Sequence, residues 1–293
     1  MGTGGRGPGA RSTAPLASAT VPQYYERYSR IIRGILPLDR TQLRSLFDMD
    51  GRVVIVTGGT RGIGRALAEG YVAAGAKVVV ASRKPEACKE TEQHLQALGG
   101  AALGVPTRLD DLDGLRGLIE KAVEAFGGID VVVNNAANAL AQPMGEYTRE
   151  AWAKSLDVNL RGPVFLVQEA LPHLKRSEHA AVLNVLTGAA FLFSSTVSLY
   201  AIGKSGLLAA TRSMAAEFAP HGIRVNALSP GTVDTDMVRK NPPEAQAVMT
   251  RLQLMPRMAH PDEMVGPALL LTSDAGSFIT GQVLFADGGM VPR

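Results

Sequence analysis

Short apolar runs alternate with longer amphipathic stretches along the chain from Gly51 onward. The runs are rich in valine and isoleucine without polar alternation, which is typical of strands buried on both faces of a parallel sheet. The stretches between them carry apolar residues at helical spacing and predict covering helices. The predicted strands span 53–57, 77–81, 101–105, 130–133, 181–186, 223–228 and 282–285. We therefore predict an α/β fold with a doubly wound, seven-stranded parallel sheet that binds ligands at the carboxyl ends of its strands.

The first 50 residues differ in pattern from the rest of the chain. Residues 1–22 are mostly Gly, Ala, Ser, Thr and Pro with two arginines and no acid, a composition that predicts a disordered tail. An organelle transit peptide has similar features and is the alternative. From Tyr24 to Phe47 apolar residues recur at helical spacing. We predict a helical N-terminal extension over 23–50, packed on the domain or on another subunit, and a single large domain over 51–293.

Composition narrows the class of protein. The 293 residues are 46% hydrophobic and 19% charged, below the roughly 25% usual for soluble domains, which favours a tightly packed interior. A formal net charge of +3 from scattered Lys and Arg argues against a nucleic-acid partner. Cys88 is the single cysteine, so an internal disulfide and a cysteine metal site are excluded. No apolar run is long enough to span a membrane, and we expect a soluble cytoplasmic protein.

A glycine-rich segment from Thr57 to Gly64 lies between the first predicted strand and a predicted helix. Small residues at such a turn let backbone amides and the positive end of the helix approach a pyrophosphate. An ordinary tight connection is the alternative, but the strand before and the helix after favour a Rossmann-type dinucleotide site. The cofactor-binding residues predicted in this loop are Gly58, Thr60, Arg61, Gly62, Ile63 and Gly64.

The second predicted strand leads into Ser82, Arg83 and Lys84. An enzyme that uses NAD normally offers an acid here to the hydroxyls of the adenosine ribose, and this chain has none. An arginine suits a 2′-phosphate, which Arg61 could contact from the other side. We predict NADP(H) as the cofactor, bound in part by Ser82 and Arg83. Two solvated arginines are the alternative.

Tyr200 and Lys204 are four residues apart, which places them on one face of a helix. A nearby ammonium favours phenolate and lowers the pKa of the tyrosine, as a group that transfers a proton at neutral pH requires. The pair therefore indicates acid/base chemistry at Tyr200. A surface cation beside a half-buried aromatic ring is the alternative.

Read together, the motifs resemble those of the short-chain dehydrogenase/reductase family, from Leu46 to the C-terminus. They occur in the family's order: Thr57 to Gly64, Asn134-Asn135-Ala136, Asn159, Tyr200 with Lys204, Pro230-Gly231 and Asp287-Gly288-Gly289. The overall pattern is similar to 3-oxoacyl-ACP reductases and gluconate 5-dehydrogenases. The resemblance implies an oxidoreductase that interconverts a carbonyl and an alcohol.

The resemblance also implies roles for further residues. Thr187, thirteen positions before Tyr200, stands where the family usually has the serine that polarises the substrate oxygen. Ser194, Ser195 and Ser198 are alternatives at less suitable spacing. Asn159 would hold a water against Lys204. The remaining cofactor contacts implied are Asn135 and Ala136 at the adenosine ribose, Pro230, Gly231 and Val233 at the nicotinamide amide, and Thr235 at the phosphates.

Three residues depart from the family pattern: Arg108, Ala137 and Thr187. The family commonly has an aspartate near the adenine where Arg108 stands, so adenine contacts could shift to Asp110. These departures keep open a non-catalytic dinucleotide-binding sensor or subunit.

The substrate is indicated only by class. Apolar residues between Thr187 and Tyr200 either line the substrate pocket or pack subunits together, and four methionines lie in the region of the family's substrate lid: Met237, Met249, Met255 and Met258. Flexible thioethers suit irregular apolar ligands, which favours a lipophilic ketone or a 3-oxoacyl thioester. A sugar or polyol is the alternative within the family. The resemblance further implies a homotetramer or a homodimer.

Overall fold

The computed structural model describes Met1 and residues 38–193, 195 and 197–292. The predicted tail beyond Met1 and the predicted extension up to residue 37 lie outside these ranges. The described part of the extension contains helix α1 (Arg40–Ser45), which begins with a capping box between Asp39 and Gln42. Met49 follows α1 and is completely buried in the core of the domain.

Within the described residues, seven strands form one parallel sheet in the order β3-β2-β1-β4-β5-β6-β7. The strands are β1 (Val53–Thr57), β2 (Lys77–Ser82), β3 (Ala102–Pro106), β4 (Val131–Asn134), β5 (Ala181–Val185), β6 (Arg224–Pro230) and β7 (Val283–Ala286). The chain winds outward in both directions from the neighbouring strands β1 and β4. This confirms the predicted doubly wound α/β fold, and it places the switch point of the topology between β1 and β4.

Several strand ends differ from the prediction by one or two residues. Strand β6 continues past residue 228 because Ser229 and Pro230 pair with Phe285 and Ala286 of β7. Strand β4 begins at Val131, and Asp130 just before it bonds to Val53 of β1 through its backbone N–H at 2.9 Å and through its carboxylate at 2.8 Å. Both differences depend on contacts with neighbouring strands. The pattern of residues along a single strand does not predict such contacts.

Helices cover both faces of the sheet. They are α2 (Gly62–Ala73), α3 (Pro85–Ala97), α4 (Leu112–Phe126), α5 (Arg149–Leu156), α6 (Gly162–Leu174), α7 (Ser198–Phe218), α8 (Asp236–Arg239), α9 (Pro243–Arg251) and α10 (Val265–Thr272), with a π-helical turn (Asp157–Arg161) between α5 and α6. Successive residues of β1 enter opposite cores: Val54 packs with α2 and α10, and Ile55 packs with α4, α6 and α7. None of the helices in the described ranges is long and apolar enough to cross a membrane.

Candidate active site

The connection from β1 to α2 is built around glycines. Gly58 and Gly62 have φ angles of +65° and +53°, a region that other residues rarely adopt. A Cβ atom on Gly64 would lie 2.2 Å from the carbonyl oxygen of Gly58 and 2.4 Å from Nδ2 of Asn135. The glycine spacing recognised in the sequence is therefore required by close backbone packing at the carboxyl edge of the sheet.

Residues that follow β4 brace this glycine-rich connection. Asn135 donates from Nδ2 to the carbonyl oxygen of Thr57 at 2.9 Å. The Thr57 hydroxyl oxygen accepts from the backbone N–H groups of Asn135 and Ala136 at 3.1 and 3.2 Å. Asn134 points away from the loop and donates to Oδ1 of Asn184 in the core at 2.9 Å. The Asn-Asn-Ala motif thus joins the glycine-rich connection to β5 in the interior of the sheet.

The amino end of α2 faces a shallow cradle. Within the described residues no side chain caps this helix, whose N-cap is Arg61, so its first amide groups are available to an anion. A Cβ atom on Gly62 would lie 3.0 Å from Cγ2 of Thr235, which follows β6. The next residue, Ile63, packs against the core. Small residues, amide donors and the hydroxyl of Thr235 together fit the pyrophosphate of a dinucleotide.

The carboxyl end of β2 forms the outer part of the same edge. Ser82 ends the strand, and its hydroxyl is 3.2 Å from the hydroxyl of Thr60 in the glycine-rich loop. Arg83 follows and is exposed, whereas Arg61 lies 3.8 Å from the carboxylate of Asp236 and is about two thirds exposed. Both guanidinium groups are therefore accessible to a ligand from solvent.

Arg108 lies two residues beyond the end of β3, the strand next to β2. Its guanidinium binds the carboxylate of Asp110 through two hydrogen bonds, one of them 3.0 Å long. These bonds hold the pKa of Asp110 below its usual value. The carboxylate to which adenine contacts were predicted to shift is thus occupied by the arginine that replaces the family's aspartate.

Tyr200 and Lys204 lie in the first two turns of α7, where the sequence placed them. Lys204 is 1% exposed, and Nζ donates to the carbonyl oxygen of Val185 at 2.6 Å. Nζ lies 6.0 Å from the ring centroid of Tyr200. Burial lowers the pKa of Lys204 to about 7.

The hydroxyl of Tyr200 is hydrogen-bonded to Thr187, which follows β5. Burial raises the pKa of Tyr200 to about 12, and the bond from Thr187 opposes that rise. The sequence predicted a lowered pKa for this tyrosine. The direction differs because the ammonium of Lys204 is directed to a backbone carbonyl, which leaves desolvation of the phenolate as the larger effect.

Asn159 lies in the π-helical turn before α6 and is completely buried. Its side chain accepts from the backbone N–H of Asn138 at 3.0 Å and donates to the carbonyl oxygen of the same residue at 2.8 Å. A Cβ atom on Gly203 would lie 2.8 Å from Cβ of Asn159, so the turn lies directly against the residue before Lys204. Asn159 therefore fixes the loop after β4, a contact that the sequence did not reveal.

The turn after β6 contains Pro230, Gly231 and Val233. A Cβ atom on Gly231 would lie 2.5 Å from Oε1 of Gln253 and 2.6 Å from the carbonyl oxygen of Asp287. Sequence reasoning did not identify Gln253, which occupies a loop without a periodic pattern. The Asp287 carboxylate in turn accepts from backbone N–H groups of the C-terminal segment at 2.9 and 3.0 Å.

An apolar cavity of about 490 Å³ lies beside the segment between Thr187 and α7. The residues that line it are Met144, Ala189, Ala190, Phe191, Leu192, Phe193, Ser198, Ala201, Ile202 and Ser205. Among the described residues its lining includes neither Tyr200 nor Thr187. Phe191 also packs on Phe285 of β7, with ring centroids 4.8 Å apart. The apolar stretch noted in the sequence is therefore divided between a cavity and the core.

The chain is similar to known oxidoreductases over most of its length. A family model described as enoyl-(acyl carrier protein) reductase matches residues 58–291. The 3β-hydroxysteroid dehydrogenase 1 of Eggerthella lenta is 34% identical over 247 residues, 83% of this chain and 95% of that protein. The L-rhamnose 1-dehydrogenase (NAD(P)(+)) of Azotobacter vinelandii is 35% identical over 246 residues, 82% of this chain and 96% of that protein.

A solved structure has the same architecture. It is a blue fluorescent protein from a metagenomic library in complex with NADPH, 30% identical, with a TM-score of 0.79. The match covers 84% of this chain and all of the other.

Proposed function

The chain belongs to the short-chain dehydrogenase/reductase family and is an oxidoreductase acting on alcohols and carbonyls, and we propose that it depends on NADP(H) and uses Tyr200 as the acid/base. One observation carries this proposal. The hydroxyls of Tyr200 and Thr187 are hydrogen-bonded to each other at the carboxyl edge of the sheet, beside the buried amine of Lys204.

When bound, the reduced cofactor supplies the hydride that the carbonyl carbon receives. Tyr200 donates its proton to the carbonyl oxygen, and Thr187 donates a hydrogen bond to the same oxygen. This pair forms a preorganised site for the charge that develops there. In the reverse direction Tyr200 accepts the proton of the alcohol.

Lys204 stabilises the deprotonated form of Tyr200. Its amine is about half protonated near neutral pH because burial lowers its pKa to about 7. A negative charge on the phenol oxygen favours the ammonium form, and the ammonium in turn favours the phenolate. Asn159 completes the site by fixing Asn138 and by holding a water against Lys204, as the family resemblance implies.

NADP(H) is proposed over NAD(H) because of the residues at the end of β2. Arg83 is exposed directly after Ser82, and the exposed Arg61 follows Thr60, whose hydroxyl is 3.2 Å from that of Ser82. The sequence 82–84 has no carboxylate to bind ribose hydroxyls. The NADPH complex of the related blue fluorescent protein supports the same choice. The residues proposed to hold the cofactor are Gly58, Thr60, Arg61, Gly62, Ile63, Gly64, Ser82, Arg83, Asn135, Ala136, Tyr200, Lys204, Pro230, Gly231, Val233 and Thr235.

A lipophilic ketone or a 3-oxoacyl thioester is the proposed substrate. The region from α8 to the end of α9 and just beyond exposes several large apolar side chains, namely Met237, Val248, Leu252, Leu254 and Met255. Exposed apolar residues on one such segment suit contact with an apolar ligand. The steroid named for the Eggerthella lenta relative is consistent with this class.

A sugar or polyol is the second candidate, favoured by the rhamnose dehydrogenase relative. A non-catalytic sensor is the candidate from another class, and the pairing of Tyr200 with Thr187 argues against it. We further propose a homotetramer or homodimer. Because Cys88 is the single cysteine, we expect the protein in a reducing compartment, the cytoplasm.

The decisive experiment follows the absorbance of reduced nicotinamide with a panel of 3-oxoacyl thioesters, cyclic ketones and sugars, with NADPH and NADH in parallel. We expect turnover of an apolar carbonyl with NADPH preferred. Tyr200→Phe should abolish turnover and leave NADPH affinity nearly unchanged. Tight NADPH binding without turnover of any compound would favour the sensor, and equal efficiency with NADH would contradict the cofactor assignment.

A further inference from the structure

We propose that Gln253 is a positioning residue that fixes the turn after β6, and with it the nicotinamide end of the cofactor site, to the segment following α9. The inference rests on the proposed NADP(H)-dependent function. Gln253 follows α9 by two residues and is 7% exposed, although it lies in a loop whose neighbours Leu254 and Met255 are exposed. A buried glutamine in such a loop requires a set of partners.

Both the oxygen and the nitrogen of the Gln253 side-chain amide form hydrogen bonds with backbone groups. Oε1 accepts from the N–H of Thr232, the residue after Gly231. Nε2 donates to the carbonyl oxygens of Met255 at 3.2 Å and Arg257 at 2.7 Å. The orientation of the amide is determined by this network, since the opposite orientation would place its NH₂ against an N–H and its oxygen against two carbonyls.

Close packing leaves the amide little freedom. Oε1 lies 2.5 Å from the position that a Cβ atom on Gly231 would take, so Gly231 must be glycine for Gln253 to reach Thr232. On its other side, Cβ of Gln253 lies 3.5 Å from the position of a Cβ atom on Gly288. Gln253 is thus held between the turn after β6 and the turn after β7.

Backbone hydrogen bonds continue the same connection along the chain. The N–H of Met255 donates to the carbonyl oxygen of Gly288 at 2.9 Å. The N–H of Ala259 donates to the carbonyl oxygen of Thr232 at 2.9 Å, and the N–H of Asp234 donates to that of Ala259 at 2.9 Å. Residues 253–259 and 231–234 therefore form one hydrogen-bonded unit, and the buried amide of Gln253 is one of the groups that join the two segments.

The consequence for the reaction follows from where this unit lies. The turn at Pro230 and Gly231 is proposed to hold the nicotinamide amide, whereas the glycine-rich loop and β2 are proposed to hold the adenosine phosphates. Loss of the Gln253 amide would remove the partner of the Thr232 N–H and of the Arg257 carbonyl oxygen, whereas the Met255 carbonyl oxygen would still accept from the N–H of Arg257 at 2.8 Å. The turn would shift to satisfy the N–H of Thr232. Binding of the nicotinamide half should weaken, and binding of the adenosine half should not.

Gln253→Leu tests this, because leucine has a similar volume and removes all three side-chain bonds. The matched control is Gln246→Leu on α9, since the Gln246 amide bonds to the carbonyl oxygens of Arg239 and Asn241 and not to the turn after β6. The probes are NADPH, which spans both halves of the site, and adenosine 2′,5′-bisphosphate, which fills the adenosine half.

We expect Gln253→Leu to weaken NADPH binding about tenfold, the effect of losing about one net hydrogen bond with a charged or buried partner. The affinity for adenosine 2′,5′-bisphosphate should be unchanged, and kcat should fall with a larger deuterium isotope effect on hydride transfer. Gln246→Leu should match the unaltered protein in both affinities, in kcat and in the isotope effect. Equal losses with both probes, or no loss with either, would overturn the inference.

Failure of the proposed function would look different, since the unaltered protein would then bind neither probe or turn over no carbonyl. If Gln253→Leu does not fold, amide hydrogen exchange on the unaltered protein tests the role of Gln253 instead. NADPH should slow exchange at Thr232 and across 255–259 together. Protection of Thr232 without any change across 255–259 would overturn the role of Gln253.

Discussion

Nζ of Lys204 lies 2.6 Å from the carbonyl oxygen of Val185, the last residue of β5. The lysine therefore ties helix α7 to the carboxyl end of β5, and it does so with a group that is 1% exposed. An amine buried in this way loses hydration, which is why its pKa falls to about 7.

The first prediction concerns stability as a function of pH. The unfolded lysine binds its proton up to its ordinary pKa of 10.5, whereas the folded lysine releases it above about 7. The unfolded state binds more protons in this interval, so this group makes the free energy of unfolding rise with pH, by up to about 1.4 kcal/mol per pH unit. Lys204→Met should remove that contribution.

Urea unfolding between pH 7 and 10 measures this effect as the difference between the two proteins, since the other titrating groups are shared. A difference that stays constant with pH would show that Lys204 keeps an ordinary pKa in the folded protein. Above pH 10 the free energy of unfolding of both proteins should fall as pH rises, because burial raises the pKa of Tyr200 to about 12 and the folded state then holds the extra proton.

The second prediction concerns the hydroxyl of Thr187. Thr187→Val keeps the shape of the side chain and removes the hydrogen bond to Tyr200 and to the substrate oxygen. We expect kcat to fall about 100-fold, as for the loss of one donor to a developing oxyanion, with NADPH affinity unchanged. Thr187→Ser is the control, and it should retain turnover because it keeps the hydroxyl. Full activity of the valine variant would remove Thr187 from the mechanism.

The third prediction concerns the choice of cofactor. Arg83→Ala should raise the KM for NADPH about tenfold and leave the KM for NADH nearly unchanged, since the lost contact is to the 2′-phosphate. Arg116→Ala is a suitable control because Arg116 pairs with Asp113 and Glu169 on helices away from this edge. Parallel changes for both cofactors would contradict the assignment of Arg83.

The fourth prediction concerns the glycine-rich connection. Gly64→Ala places a methyl group 2.2 Å from the carbonyl oxygen of Gly58, so the loop must open, and we expect NADPH binding to be lost. Gly117→Ala is the control, because among the described residues no atom outside the local backbone of α4 lies within 4 Å of the new methyl group. It should stabilise the protein by about 0.5–1 kcal/mol through the higher helix propensity of alanine. Fluorescence titration and thermal unfolding check both outcomes.

The order of the elements could be predicted from the sequence because the valine-rich strands are buried on both faces and the helices between them are amphipathic. The ends of β4 and β6 could not, since they depend on Asp130 bonding to β1 and on Ser229 and Pro230 pairing with β7. At the site, Thr187 is hydrogen-bonded to Tyr200, as expected from its position thirteen residues before the tyrosine.

Other features of the site depend on contacts between distant segments. The spacing of Tyr200 and Lys204 did not indicate that the lysine would bond to Val185, and this bond reversed the predicted direction for the pKa of Tyr200. Gln253 lies between a short helix and an irregular loop, where a polar residue predicts exposure rather than burial. Its partner Thr232 lies 21 residues earlier, and only the folded chain brings the two together.

The switch point between β1 and β4 separates the residues proposed to bind the adenosine half of the cofactor from those proposed to carry out the reaction. The strands before it carry the glycine-rich loop and the arginines at β2, and the strands after it carry Thr187, Tyr200 and Lys204. A recombination crossover within α4 would therefore transplant cofactor preference separately from substrate choice. The contacts across the join that would have to be retained in such a chimera include the pairing of β1 with β4 and, at the site, Thr57 with Asn135 and Gly62 with Thr235.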